Sequence, residues 1–480
     1  MNAEYLLKTT WYRAVKCRKT IFKKSGTAAK SLLTFLFIIL TTHAFSQNNL
    51  TQKLEAYMKG QNAVNQFSGT VMVTRNDTLL FQKAYGFADY EWQVPNTIDT
   101  KFGMASITKQ FTAISILQLV ERGQLKFEDR LSNFFPDFPN GDSITVHMLL
   151  THTSGLALDF EELYLYQTSL TKDSALTYIK TLPLQFKPGK NLAYSNVAYF
   201  LLSQIIEKTS GLSFGDYLQK NIFDILGMKN SGLNSNEKIV PKLARSYYRE
   251  GEGFFKNPYI NWEVNIGLDG MYSTAADLYL LDRALYGNSL LSASSKAKMF
   301  TQYNKAFSDN GFLDSYGYGI FINPYFNHGH EMLTHSGGYF GVMTTMDRYP
   351  EDNIFITVLS NNQSESHWIA YGLAGIMFGK DVELPYIHVQ KSIDPALLSR
   401  YAGKYGSFEI IAKNDKLYLN TMNVELIPES DRKFFRKDNP DRTFEFLYNK
   451  KTGKRSMILT KGGVRETIQG AKVQKKSYRL

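Results

Sequence analysis

Two blocks of strand pattern enclose a long helical stretch, and this order constrains the fold of the chain more than any other feature. The first block, "GTVMVTRNDTLLFQKAYGFAD" from Gly69, alternates apolar and polar residues around Asn76-Asp77, a pair suited to a tight hairpin turn. Helical periods then run to about residue 290. "SITKQFTAISILQLVERG" spaces its apolar residues for one helix face and stops at Gly123, where a left-handed cap fits. "SNVAYFLLSQIIEKTSG" runs from a Ser/Asn start to a Gly stop, and "STAADLYLLDRALYG" carries Ser273 as its expected N-cap. Strand patterns return at "SYGYGIFIN", "MLTHSGGYFGVMTTMDRYP" and "NIFITVLSNN". Strands on both sides of a helical middle predict an α+β fold, an antiparallel sheet flanked by helices plus an all-helical region, rather than βαβ units.

From about Asp394 the pattern changes again. "GSFEIIAKNDKLYLNT", "TFEFLYNKKTGKRSMILTK" and "VRETIQG" are short alternating strands joined by Asn-Asp and Thr-Gly turns. They predict a small barrel-like β domain over residues 394–480, following a main domain over 47–385 and the linker "PYIHVQKSIDP".

The net charge of +11 would fit a nucleic-acid partner, but it is unevenly placed. Residues 1–30 hold eight Lys/Arg and one acid, Glu4, and the apolar run "LLTFLFIIL" (Leu32 to Leu40) follows. This is the order of a secretory signal, with cleavage expected near Ser46/Gln47, and the run is too short to span a bilayer. An uncleaved anchor is the alternative. Removing eight bases and one acid brings the charge from +11 to +4, which takes away the main support for nucleic-acid binding. The single cysteine, Cys17, lies in the leader, so the mature chain has no disulfide, thiol nucleophile or cysteine metal site. These features predict a periplasmic or secreted bacterial protein with no membrane span after cleavage. They say nothing of its oligomeric state.

The first chemical candidate is Ser106 with Lys109. Residues three apart share a helix face, so the two side chains can meet. The spacing alone proves little, because it recurs at Ser169/Lys172, Ser235/Lys238, Ser295/Lys298 and Ser430/Lys433. Only the first has an apolar helix running on from it. Tyr194 and Asn196 in "NLAYSNVAY" precede a helix, where a loop can project both into a cleft. In "THSGGYFG", His335, Gly337 and Gly338 fall on a strand, where paired glycines call for a close backbone approach. "GLSFG" (Gly211 to Gly215) matches a nucleophile elbow but lacks the strand that must precede one, and reads as a helix–helix turn. "KTG" (Lys451 to Gly453) reads as turn chemistry, and His328/His330 as loop residues, with no acidic or His cluster to complete a metal site.

The order Ser-x-x-Lys, Tyr-x-Asn, His-Ser-Gly resembles the serine β-lactamase and penicillin-binding-protein superfamily, above all its class C-like hydrolases. "AYGFADYEWQVPNTIDTKFGMASITKQFTA", "LLTHTSGL", "FKPGKNLAYSNVAYFLLSQIIEKTSGLSF", "IFDILGMKNS" and "GLDGMYSTAADL" extend the resemblance over about residues 65–365. It implies Ser106 as nucleophile and Lys109 or Tyr194 as its base, the choice being left open. Asn196 would orient Lys109 and bind a substrate carbonyl, and the backbone N–H groups of Ser106 and Gly338 would hold the oxyanion. His152 in "LLTHTSGL" is expected to be structural. No metal or organic cofactor is implied. The lactamase branch places Lys where this chain has His335, which weakens carboxylate anchoring at neutral pH. An ester or amide substrate, including a D-amino-acid peptide, is therefore favoured. The alternatives are a true β-lactamase and a non-turnover penicillin-binding or cell-wall-binding sensor.

Overall fold

The computed structural model describes residues 49–160, 170–251, 253–304, 315–449, 452 and 454–470. The leader, Ser169, Lys451 and Gly453 lie outside the described residues. Glu55–Leu480 form one compact unit, which holds everything below.

The two strand blocks meet in a six-stranded antiparallel sheet. Its N-terminal hairpin is β1 (Gly69–Arg75) and β2 (Thr78–Tyr85), turning through Asn76 and Asp77 at φ 50° and 60°. The late strands are β3 (Phe321–Ile322), β4 (Leu333–Tyr339), β5 (Val342–Tyr349) and β6 (Ile354–Ser360). Of the "SYGYGIFIN" stretch only Phe321–Ile322 is strand. β1 pairs with β6 from Gly69↔Ser360 to Arg75↔Ile354, which gives the order β3-β4-β5-β6-β1-β2. Every residue of β6 is buried, because the sheet is covered on both faces. Phe355 and Leu359 share a cluster with Leu278 and Leu281 of helix Ala275–Tyr286. The alternate residues Ile354, Ile356 and Val358 point the other way, where helix Ser366–Met377 packs.

Helix α1 (Thr108–Glu121) is buried on all sides from Thr108 to Leu119, beyond the single apolar face its periodicity predicts. It leads from the sheet into the helical region, where α2 (Asn196–Ser210) packs against it. α2 starts on the Ser195 cap and stops at Gly211 at φ 71°. Ser213 then caps Phe214–Leu218, so "GLSFG" is a helix–helix turn. Helix Ala275–Tyr286 is capped by Thr274, one residue past the expected Ser273, which lies in a short strand and hydrogen-bonds Ser231.

The C-terminal region is an eight-stranded antiparallel meander, β7 (Gly403–Tyr405) to β14 (Val464–Gln469). The expected Asn414-Asp415 turn joins Phe408–Lys413 to Lys416–Leu419 with both residues at positive φ. A bridge between Tyr405 and Gly470 brings the first strand back to the end of the last, giving a barrel-like sheet around Leu417, Phe434, Phe444 and Met457. The barrel is tied to the main sheet's side through Tyr57, whose hydroxyl donates to the Gly462 carbonyl at 2.9 Å. Among the described residues no helix is long and apolar enough to cross a membrane.

Candidate active site

Ser106 sits in a 3-10 turn, Ala105–Ile107, that leads directly into α1. Ala105 adopts φ 46°, a left-handed conformation that costs a non-glycine residue of order 1–3 kcal/mol and is held by the packing around it. Two contacts fix this turn. Phe102–Gly103 pairs with Met271–Ser273 in a small three-stranded sheet, and Met104 N donates to Met271 O at 2.8 Å. On the other side, Gly337 of β4 lies so close that a Cβ there would come within 2.6 Å of both Met104 O and Ser106 N. Of the two paired glycines it is Gly337 that serves a close approach of two backbones.

Lys109 is fully buried. Its ammonium donates to Ser106 Oγ at 2.8 Å and to Leu268 O at 3.0 Å. No other described Ser-x-x-Lys pair brings these atoms together: in Ser235/Lys238 and Ser430/Lys433 the serine oxygen takes the lysine backbone N–H instead. Burial pulls the Lys109 ammonium below its ordinary pKa, while the carboxylates of Asp269 and Asp159 partly hold it up.

The small sheet that fixes the Ser106 turn also delivers Asp269, which the sequence reading missed. Asp269 is 6% exposed, and its Oδ1 accepts the Ser106 hydroxyl at 2.8 Å and lies 3.5 Å from Lys109 Nζ. Ser106 Oγ is therefore held between an ammonium and a carboxylate. The available signal was an acid between glycines in the otherwise apolar "GLDGMYS".

Tyr194 arrives on a loop and Asn196 as the first residue of α2, and both are clamped by the "LLTHTSGL" segment and its continuation. Ala193 N donates to His152 O, Ser195 N to His152 Nδ1 and Asn196 N to Leu158 O, at 3.1, 3.1 and 2.7 Å. The His152 ring lies on the Tyr194 ring at 4.3 Å between centroids, so His152 shapes the site as a packing and positioning residue. Lys109 Nζ is 5.0 Å from the Tyr194 ring centre. Burial raises the Tyr194 phenol well above its ordinary range, with a hydrogen bond to Ser106 acting in the opposite direction. Asn196 Nδ2 donates to Asp159 Oδ2 at 2.6 Å, whereas its expected partner was Lys109. Its buried Oδ1 has no hydrogen-bond partner among the described residues.

His335 is 1% exposed. Its Nδ1–H donates to Ser336 O at 2.6 Å, which leaves Nε2 to accept from Tyr316 at 3.1 Å. Burial and the nearby Lys109 push its pKa down to about 3, so the ring is neutral. Both nitrogens are engaged within the protein, and His335 presents no free ring nitrogen to a substrate. Gly338, by contrast, is exposed on the strand beside the Ser106 turn. His328 and His330 are held by Tyr371 O and Asp352, away from this cluster.

The arrangement is that of a half-buried serine contacted by a buried lysine, on a strained strand-to-helix turn beside an exposed strand edge. Residues 50–370 match the family described as Beta-lactamase. The chain is 28% identical over 421 residues to Penicillin-binding protein 4* of Bacillus subtilis (strain 168), covering 81% of this chain and 92% of that one. It is 27% identical over 315 residues to the Teichoic acid D-alanine hydrolase of Staphylococcus aureus (strain MRSA252), covering 65% and 73%. The octameric penicillin-binding protein homologue from Pyrococcus abyssi superposes with a TM-score of 0.63 at 26% identity, covering 88% of this chain and 99% of that one. The chain belongs to the Beta-lactamase family and, like its penicillin-binding-protein and D-alanine-hydrolase relatives, is a serine hydrolase.

Proposed function

We propose that the protein is an exported hydrolase that cleaves carboxylic esters or amides, D-amino-acid derivatives among them, through an acyl-enzyme on Ser106. The observation that carries this reading is the 2.8 Å contact between Ser106 Oγ and the buried Lys109 Nζ. Ser106 Oγ bonds to the acyl carbon while its proton passes to Lys109 in its neutral form. Burial lowers the Lys109 pKa and raises that of Tyr194, which favours lysine as the acceptor and the neutral phenol as a donor. As the bond from the acyl carbon to the leaving alcohol or amine breaks, Tyr194 hands that group a proton and is reprotonated from the Lys109 ammonium. Water then attacks the acyl carbon, breaks its bond to Ser106 Oγ and releases the acid, its proton returning to Ser106 through Lys109. The N–H groups of Ser106 and Gly338 stabilise the oxyanion, each such donor being worth about 3–4 kcal/mol in the transition state. Asn196, oriented by Asp159, offers its amide to the substrate carbonyl.

The name of the staphylococcal relative supports a D-alanyl substrate, and the neutral His335 disfavours a substrate anchored by its carboxylate, as a β-lactam would be. The basic and apolar leader supports export to a periplasm or cell surface. A fluorophosphonate probe on the chain from Gln47 should label Ser106 and leave Ser106→Ala unlabelled. Absence of labelling by any serine-directed probe would overturn the reading. Acylation without release would point to a penicillin-binding sensor instead.

A further inference from the structure

We propose that Asp269 is a specificity-determining residue that binds a positively charged α-amino group on the acyl side of the substrate, so that the preferred substrates are aminoacyl esters or amides with a free ammonium. This rests on the assignment of Ser106 as nucleophile. An α-ammonium nitrogen stands two bonds from the carbon under attack, each about 1.5 Å long. It therefore comes within hydrogen-bond reach of a carboxylate whose Oδ1 is already 2.8 Å from the attacking oxygen.

The charges of the site point the same way. Lys109 is influenced by two acids, Asp269 and Asp159, and among the described residues it is the only cation ion-paired with either, at 3.5 Å from Asp269. Asp159 accepts from the Asn196 amide and the Phe160 N–H, among the described residues it has no ammonium or guanidinium in an ion pair, and its burial and the neighbouring Asp269 raise its pKa. His152 and His335 bring no positive charge, since burial and Lys109 hold both rings neutral. A buried site with two acids and at most one ammonium is short of a cation, which a substrate ammonium supplies and a substrate carboxylate worsens. The ammonium would also replace the Ser106 hydroxyl on Asp269, freeing that proton to turn toward Lys109.

The test is protection of Ser106 from a neutral fluorophosphonate, comparing D-alaninamide with propionamide, which lacks only the amine. In the wild-type protein D-alaninamide should protect at roughly ten- to hundredfold lower concentration, the range of a charge-assisted hydrogen bond. In Asp269→Asn that preference should vanish, and in Asp269→Glu it should partly return, with melting temperatures checking the fold of each. Equal protection by both amides in the wild type would overturn the proposal without any variant, while labelling of Ser106 would leave the hydrolase reading standing. Loss of labelling in a folded Asp269→Asn would overturn it too, by placing Asp269 in the activation of the serine. Failure of the wild type to be labelled at all would remove the hydrolase reading and this inference together.

Discussion

Gly337 and Ser106 touch backbone to backbone: a Cβ at Gly337 would lie 2.6 Å from the Ser106 nitrogen, with Met104 O equally close. Gly337→Ala must therefore push β4 off the nucleophile turn. A shift of about 1 Å at reacting geometry costs on the order of 10²-fold in rate, and kcat/KM should fall by about that factor. At Gly338 the added Cβ meets the flexible Met343 thioether at 2.9 Å, so Gly338→Ala should lose much less. Steady-state kinetics on an ester substrate distinguishes the two.

Lys109 and Asp269 form a buried ion pair, and removing one partner strands the other. Lys109→Met should abolish turnover and lower the unfolding free energy by about 3 kcal/mol. The double variant Lys109→Met/Asp269→Asn should be destabilised by less than the sum of the two single changes, since no lone charge is left. Urea denaturation of the four proteins gives the coupling directly.

Asp282 and Arg348 make the same kind of pair between helix and sheet. Arg348 on β5 is 2% exposed and donates through Nε to the fully buried Asp282 of helix Ala275–Tyr286. Asp282→Ala leaves the guanidinium buried without its carboxylate, and stability should fall by about 3–5 kcal/mol. The affinity of Ser106 for fluorophosphonate in the folded protein should be unaltered. A loss of less than 1 kcal/mol in urea denaturation would mean that the pair does not pin helix to sheet.

His335, His328 and His367 are held neutral by burial, at about 3, 4 and 4. The unfolded chain binds protons on these rings below about pH 6.5 and the folded one does not. Their contribution is complete above that pH and is lost as the pH falls toward 4 and then 3. Asp347 works against them. Its buried carboxyl, accepting from Thr334 and Thr345, is raised to about 6, so its contribution is lost as the pH rises through 4 to 6. Asp347→Asn keeps an acceptor oxygen without the charge. Its melting temperature relative to wild type should therefore be higher at pH 7.5 than at pH 4.5.

What the sequence made legible was local. Ser106 and Lys109 are one helical turn apart, the Asn76-Asp77 and Asn414-Asp415 turns are set by neighbouring residues, and Gly211 stops its own helix. Asp269 was not legible, because it reaches Ser106 across the pairing of Phe102–Gly103 with Met271–Ser273, a contact with no local pattern. Asn196 was expected beside Lys109 but turns to Asp159, a choice set by the loop that His152 clamps. His335 was read as facing a substrate, yet Tyr316 and the Ser336 carbonyl take both its nitrogens. Alternation places a residue on a strand face without saying what else packs there.

The bridge from Tyr405 to Gly470 decides how the C-terminal sheet behaves toward other chains. An open sheet ends in rows of unpaired amides onto which a foreign strand can add, and natural proteins go to some lengths to cover them. Here a single bridge joins the first strand to the end of the last, and the chain itself nearly closes the seam. A truncation that removed Val464–Gln469 would open two such margins in one cut. It would leave the apolar strands Thr443–Tyr448 and Arg455–Lys461 next to an unguarded edge, turning a guarded sheet into a nucleus for aggregation.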